Sequence, residues 1–251
     1  MSTEGHSIRT LRGKHRGFHS TSNCSDFKRI LITGISGMIG SHVARELAAT
    51  PCVSVAGLVR PRTDLSTLHG ILENVELIKG DVTDEARMRE VVQHVKPNYV
   101  YHMAAQAING ISYEVAGLTL DTNVQGTRNI LEGVRALRRS HPTLGTRVLL
   151  AGSSTEYGKT ADTYGAPIPE SAPLQPVSPY GVSKVATEML GNMYNMSYGV
   201  PVITARFFIQ VSRMLFIPLC VELEKARERQ EQLTCQIVAI PRCTTLSAHN
   251  H

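Results

Sequence analysis

Residues 30–48 read ILITGISGMIGSHVARELA. Ile30 to Thr33 suit a buried strand. A turn follows with Gly34, Gly37 and Gly40 three apart, and Ile39, Val43 and Leu47 then fall on one face of a helix. A strand, a tight glycine turn and a helix in this order make the phosphate-binding corner of a dinucleotide fold. The first glycine permits the turn, the second lets a pyrophosphate lie against bare backbone, and the third lets the helix settle on the sheet. Free N–H groups and the positive end of the helix dipole then face the phosphates. Glycines at this spacing also occur in ordinary turns; the flanking strand and helix are what give these a ligand.

The pattern continues outward. Val53–Val59 and Val75–Ile78 read as the second and third strands, the latter ending at Gly80-Asp81. Asp84–Val95 reads as a helix with Thr83 as its N-cap, and Tyr99–Met103 as a fourth strand running into Ala104-Ala105-Gln106. Leu118–Arg138 is a long helix, Arg147–Gly152 a fifth strand, 156–178 a loop rich in Pro, Gly and Ser, Pro179–Tyr198 a helix closed by Gly199, and Pro201–Phe207 a sixth strand. Strands alternating with helices predict an α/β fold, a Rossmann-like doubly wound parallel sheet, with ligands beyond the carboxyl ends of its strands.

Composition narrows the partners. The chain has 251 residues and a net charge of +5. Residues 1–29 carry six Lys/Arg against Glu4 and Asp26, whereas 30–208 balance fifteen basic with fifteen acidic side chains. The basic excess therefore sits in the N-terminal stretch, not on a folded face, which argues against a nucleic-acid groove. No apolar run is long enough to span a membrane. Residues 1–28 are rich in Ser, Thr, Arg and His, and read as a disordered or targeting extension. Arg16-Gly17-Phe18 before His19-Ser20-Thr21-Ser22 would suit organelle processing, as a mitochondrial or plastid alternative to a cytoplasmic protein. Cys24, Cys52, Cys220, Cys235 and Cys243 form no CxxC and are odd in number, so free thiols are expected; no metal-ligand set is expected.

The end of the second strand selects the cofactor. An acid there would accept from the adenosine ribose and repel a 2′-phosphate, but the chain reads Val59-Arg60-Pro61-Arg62-Thr63. Arg60 and Arg62 can pair with a phosphate, so NADP is expected over NAD. Asp81, ending the third strand, is placed to reach the adenine amine.

Tyr180 and Lys184 form a YxxxK on one helix face. An ammonium beside a phenol is expected to lower its pKa and let it act as acid or base nearer neutrality. Ser153, ending the fifth strand, could hold the substrate oxygen that Tyr180 protonates.

TGISGMIG, GDVTD, YHMAAQ, DTNVQGT, LLAGSSTEYG and SPYGVSK, in this order, resemble the extended short-chain dehydrogenase/reductases, the NAD-dependent epimerase/dehydratase family. The likeness is nearest to GDP-4-keto-6-deoxy-mannose reductases, with GDP-mannose 4,6-dehydratases next, and covers Arg29 to Phe208. It implies Ser153, Tyr180 and Lys184 as a catalytic triad. It also implies cofactor contacts from Gly34, Ser36, Gly37, Met38, Ile39, Gly40, Asp81, Val82, Ala104, Ala105, Tyr180 and Lys184, a helix asparagine at Asn123, a nucleotide-sugar substrate, and a homodimer through the Leu118 and Tyr180 helices.

A sugar dehydratase needs an acid/base pair beyond Tyr and Lys. Related dehydratases place a Glu just after the Ser/Thr, where this chain has Ser154 and Thr155; Glu156 follows one residue late, and on an extended segment would face the other way. Reduction of a GDP-linked 4-keto-6-deoxyhexose is therefore expected, with dehydration, 4-epimerisation or non-catalytic NADP binding as alternatives. After Phe208 the resemblance is expected to stop, residues 209–251 forming an atypical tail in place of the substrate domain and leaving an exposed apolar face. Leu219–Leu233 could be a charged amphipathic helix and Gln236–Ile240 a short strand.

Overall fold

A computed structural model of the chain describes residues 10–11, 24, 26–164, 167–208 and 234–237. Eight strands, β1 (Thr10–Leu11), β2 (Lys28–Thr33), β3 (Val53–Val59), β4 (Val75–Lys79), β5 (Tyr99–His102), β6 (Arg147–Ser153), β7 (Val202–Phe207) and β8 (Thr234–Ile237), form one sheet in the order β1-β4-β3-β2-β5-β6-β7-β8. β1 runs antiparallel to β4 and every other pairing is parallel. The six central strands are those expected from the sequence. β8 starts two residues earlier than the expected Gln236; the possible helix over Leu219–Leu233 lies outside the described residues.

Strand residues are apolar almost throughout because both faces are covered. Ile30 and Ile32 of β2 join Val55, Val59 and Leu77 in a core closed by Val43, Ala44 and Leu47 of α1 (Met38–Ala48). Leu31 points the other way, into a core with Met88, Val91 and Val92 of α2 (Glu85–Val95) and with Ile130, Leu131, Val134 and Leu137. Leu149, Ala205 and Phe207 are buried in the first of these cores. No helix among the described residues is long and apolar enough to cross a membrane.

Several local expectations are corrected. Asp84, not Thr83, caps α2, its carboxylate accepting from the Arg87 N–H at 2.9 Å; Thr83 instead donates to Asp81. The long helix breaks into α3 (Ala116–Leu120), a π turn (Asp121–Gln125) and α4 (Gly126–Ser140). The loop after β6 holds a 3-10 turn over Ser154–Glu156 and a short helix, α5 (Thr160–Tyr164). The last helix, α6 (Pro179–Tyr198), begins at the Ser178 cap and ends at Gly199 with φ +64°, as read.

Cys24 and Cys52 are not free thiols but a disulfide, with Cα atoms 5.8 Å apart. Parallel pairing sets Lys28 opposite Val53, so the residues just ahead of β2 and β3 converge at the amino edge of the sheet. A sequence separation of 28 carries no motif that would reveal this.

Candidate active site

The carboxyl edge of the sheet carries the expected groups, each at the end of its own strand. After β2, Gly34 takes φ +70°, and a Cβ there would lie 2.7 Å from the Ala104 nitrogen, so the turn packs directly on the segment following β5. A Cβ at Gly40 would fall 2.2 Å from the Gly34 carbonyl oxygen, which is why α1 can lie so close to the turn. Gly37 differs: its Cβ would meet only that carbonyl, at 3.2 Å, and its outer side is open. No side chain caps α1 and no acid sits in its first turn. An open glycine at an uncapped helix start fits a bound pyrophosphate.

The remaining cradle residues divide. The Ser36 carbonyl accepts from the Thr67 hydroxyl at 2.9 Å, tying the turn to the segment after β3; Met38 is exposed and Ile39 packs on the core. Arg60 and Arg62 are exposed just past β3. Asp81 is held at the end of β4 by accepting, through Oδ1, from the Thr83 N–H at 3.0 Å and hydroxyl at 2.8 Å. Ala104 donates its N–H to Thr33 Oγ1 at 3.3 Å, and Ala105 is half-buried beside it. The Val82 side chain, by contrast, is buried against Gly126, and its carbonyl accepts from Asn129 Nδ2 at 2.9 Å. Only its backbone edge remains for a cofactor.

β6 ends in Ser153, whose Oγ accepts from the Thr155 N–H at 3.2 Å and hydroxyl at 2.9 Å. Tyr180 lies in the first turn of α6, where Ser153 influences its phenol. One turn on, the buried Lys184 Nζ donates to the Ala151 carbonyl at 2.7 Å and lies 5.6 Å from the centre of the Tyr180 ring. The structure thus brings Ser153, Tyr180 and Lys184 together.

The electrostatics depart from expectation. Burial pushes the Tyr180 phenol above its ordinary pKa; Ser153 pulls down and Glu156 pushes up. Burial outweighs what the Lys184 ammonium, 5.6 Å from the ring centre, can offset. Burial brings Lys184 itself down to about 8, with Glu156 acting in the opposite sense. A cavity of about 360 Å³ is lined by Ser154, Thr155 and Ser178, neighbours of these groups in sequence, and by Asn109, Lys159 and Asp162.

A buried polar chain that sequence reasoning missed runs behind the site. Ala104 N–H donates to Thr33, and Thr33 Oγ1 pairs with His102 Nδ1 at 2.8 Å; His102 Nε2 meets Thr127 Oγ1 at 3.1 Å, and Thr127 donates to the Asn123 carbonyl at 2.6 Å. These partners fix the proton on Nε2 of His102, and burial, with Lys184 nearby, lowers its pKa to about 3. Asn123, in the π turn, accepts from the Gln106 N–H at 2.8 Å and donates to Ser183 Oγ at 2.8 Å, one residue before Lys184. The mid-helix placement of Asn123 was the available signal; the rest depends on the π turn.

Comparison with known proteins agrees with this geometry. A family described as GDP-mannose 4,6 dehydratase matches residues 31–218, beyond the Phe208 limit of the sequence resemblance. The GDP-mannose 4,6-dehydratase of Vibrio cholerae is 32% identical over 182 residues, 69% of this chain and 47% of that protein. The dTDP-glucose 4,6-dehydratase of Xanthomonas campestris pv. campestris is 32% identical over 181 residues, 69% of this chain and 51% of its own. Among solved structures, UDP-glucose 4-epimerase of Brucella ovis in complex with NAD superposes with a TM-score of 0.63 at 28% identity, covering 72% of this chain and 52% of that one. The dTDP-glucose 4,6-dehydratase of Streptomyces venezuelae gives 0.60 at 27%, covering 71% and 55%. The chain spans about half the length of these relatives. On the sheet order, the glycine cradle, the Ser153–Tyr180–Lys184 grouping and these matches, the chain belongs to the GDP-mannose 4,6 dehydratase family of extended short-chain dehydrogenase/reductases.

Proposed function

We propose that the chain is an NADP-dependent nucleotide-sugar oxidoreductase acting at sugar C4, most like a GDP-4-keto-6-deoxy-mannose reductase. The observation that carries this reading is the position of Glu156. It is fully buried and accepts the Ser153 N–H at 2.6 Å, so it does not present an acid to the sugar. Ser154 and Thr155, which line the cavity, are poor acids and bases. The two positions after Ser153 thus offer no acid/base group for elimination across two carbons, whereas oxidoreduction at one carbon does not need one.

NADP bound in the cradle would supply or accept a hydride. Gly34, Ser36, Gly37, Met38, Ile39 and Gly40 would hold its pyrophosphate, Arg60 and Arg62 its 2′-phosphate, and Asp81, Val82, Ala104 and Ala105 line the remainder. Tyr180 keeps its proton at neutral pH and donates it to the new C4 hydroxyl. Ser153 hydrogen-bonds the same oxygen. Lys184 keeps a positive charge beside the phenolate that results and offsets part of the cost of burying it.

Residues 29–208 form the cofactor unit in this reading, 1–28 an extension and 209–251 a tail. Exposed Leu118, Val182, Met189 and Met196 support a homodimer through the α3–α4 and α6 helices. The family match favours a second reading, a 4,6-dehydratase. The purified chain is assayed with GDP-4-keto-6-deoxy-mannose and NADPH, beside its Tyr180→Phe variant. Turnover lost in the variant supports catalysis; NADPH binding without turnover in either makes the chain a non-catalytic binding module.

A further inference from the structure

Behind Ser153 lies a second acidic centre that the proposed chemistry does not use. Glu156 and Glu188 are both buried, and Arg206 is the guanidinium between them. Arg206 is committed to Glu188: its Nε donates to Oε2 at 2.9 Å and its Nη2 to Oε1 at 2.6 Å. Its Nη1 donates to the Tyr157 hydroxyl at 2.7 Å and to the Glu170 carbonyl at 2.9 Å. Burial works against the Arg206 charge, but the bonds to Glu188 and Tyr157 prevail and push its pKa up.

Glu156 is served differently. Its Oε1 accepts the Ser153 N–H at 2.6 Å, while its Oε2 is buried and receives no hydrogen bond; Arg206 Nε stands 3.5 Å away. A buried carboxylate whose nearest guanidinium is already committed to a second buried carboxylate is poorly compensated as an anion. A carboxyl oxygen without a donor, next to a carboxylate already bound by arginine, is where a proton resolves both problems.

We infer that Glu156 is a neutral carboxylic acid in the folded protein, with Oε1 accepting from Ser153 and the Oε2 hydroxyl donating to Glu188. It is thereby a positioning residue that ties Ser153 to the helix carrying Tyr180 and Lys184. Glu188 lies one turn beyond Lys184 on α6, so the bridge joins the end of β6 to the face of α6 that bears both candidate catalytic groups. The direction of the Glu156 pKa agrees: burial foremost, then the charge of Glu188, raises it from 4.5 to about 8, against the Ser153 bond and Arg206. The titratable or charged groups facing it are Glu188, Lys184 and Tyr180 on α6 and Arg206 on β7, which in turn lies over the Tyr157 ring.

The positioning role rests on the reductase reading; the protonation does not. The test is infrared spectroscopy of the full chain at neutral pH, with Glu156→Gln for comparison. An amide can accept from Ser153 and donate to Glu188 as the acid does. The folded wild type should show a carboxylic-acid C=O stretch that shifts in D₂O and is missing from Glu156→Gln. The unfolding free energy of the wild type should fall between pH 4.5 and about 8, because the folded state holds a proton that the unfolded chain releases. That slope should flatten by one proton in Glu156→Gln. In the kinetic arm, Glu156→Gln should keep kcat within a few-fold. Glu156→Ala should lose more than tenfold in kcat with unchanged NADPH affinity. No acid band in the folded wild type, or a band surviving in Glu156→Gln, overturns the assignment. Equal kcat losses in Gln and Ala overturn the positioning role. If the chain turns over no sugar, the spectroscopic and stability arms still decide the protonation.

Discussion

The Ser153 N–H donates to Glu156 Oε1 at 2.6 Å, folding the acid after the strand back beneath the serine and away from the cavity. In a family whose named relatives include dehydratases, the proposed reduction at one carbon, as against elimination of water, rests on this contact. The consequences can be measured separately.

Cofactor choice is the first. Replacing both Arg60 and Arg62 with Ala should weaken NADPH binding by about 10- to 100-fold, the worth of one or two charge-assisted hydrogen bonds, and leave NADH binding unchanged. Calorimetric titration reads both constants. Equal losses for the two cofactors would remove the arginines from the 2′-phosphate site.

The pH profile should follow Lys184. Tyr180 must be protonated to donate, and burial raises its pKa, so its own titration does not limit reduction near neutrality. Lys184, brought down to about 8 by burial, loses its charge as pH rises through that value. The rate of ketone reduction should then fall by about tenfold per pH unit on the alkaline side. Lys184→Arg, which stays charged, should show a lower rate without that limb. An unchanged limb in this variant would assign it to another group.

The disulfide makes a stability prediction. A cross-link spanning a separation of 28 residues restricts the unfolded chain, an effect worth about 3–4 kcal/mol in the chain-entropy model. Reduction of Cys24–Cys52 should lower Tm while leaving cofactor affinity intact, because the bond lies at the amino edge of the sheet. A Tm indifferent to reductant would contradict this.

The proposed dimer face can be tested without touching the site. Val182, Met189, Met193 and Met196 recur on one face of α6, exposed by 47%, 51%, 37% and 80%. Light scattering should find a dimer for the wild type and a monomer for Met189→Asp/Met193→Asp. A monomeric wild type would remove the face from consideration.

What the sequence made legible was periodic or local. The strand–turn–helix of residues 30–48 and the four-residue spacing of Tyr180 and Lys184 are written in consecutive positions, and the fold follows them. What it concealed depends on distant pairings. Cys24 meets Cys52 only once β2 and β3 pair. Asn123 reaches Gln106 and Ser183 through a π turn that helical periodicity does not announce. On an extended segment Glu156 would face away. It does turn from the cavity, but through a 3-10 turn whose N-cap is Ser153. The sign of the Tyr180 shift is set by burial, which the spacing of Tyr180 and Lys184 does not reveal and which outweighs the neighbouring ammonium.

The most direct measurement incubates the purified chain with NADPH and GDP-4-keto-6-deoxy-mannose, and in parallel with NADP and GDP-mannose, and identifies the products by mass and NMR. Reductase chemistry predicts loss of one NADPH per 4-hydroxy sugar formed in the first reaction and no change to GDP-mannose in the second. Conversion of GDP-mannose to the 4-keto-6-deoxy sugar, with no net change in cofactor, would contradict it and make the chain a dehydratase.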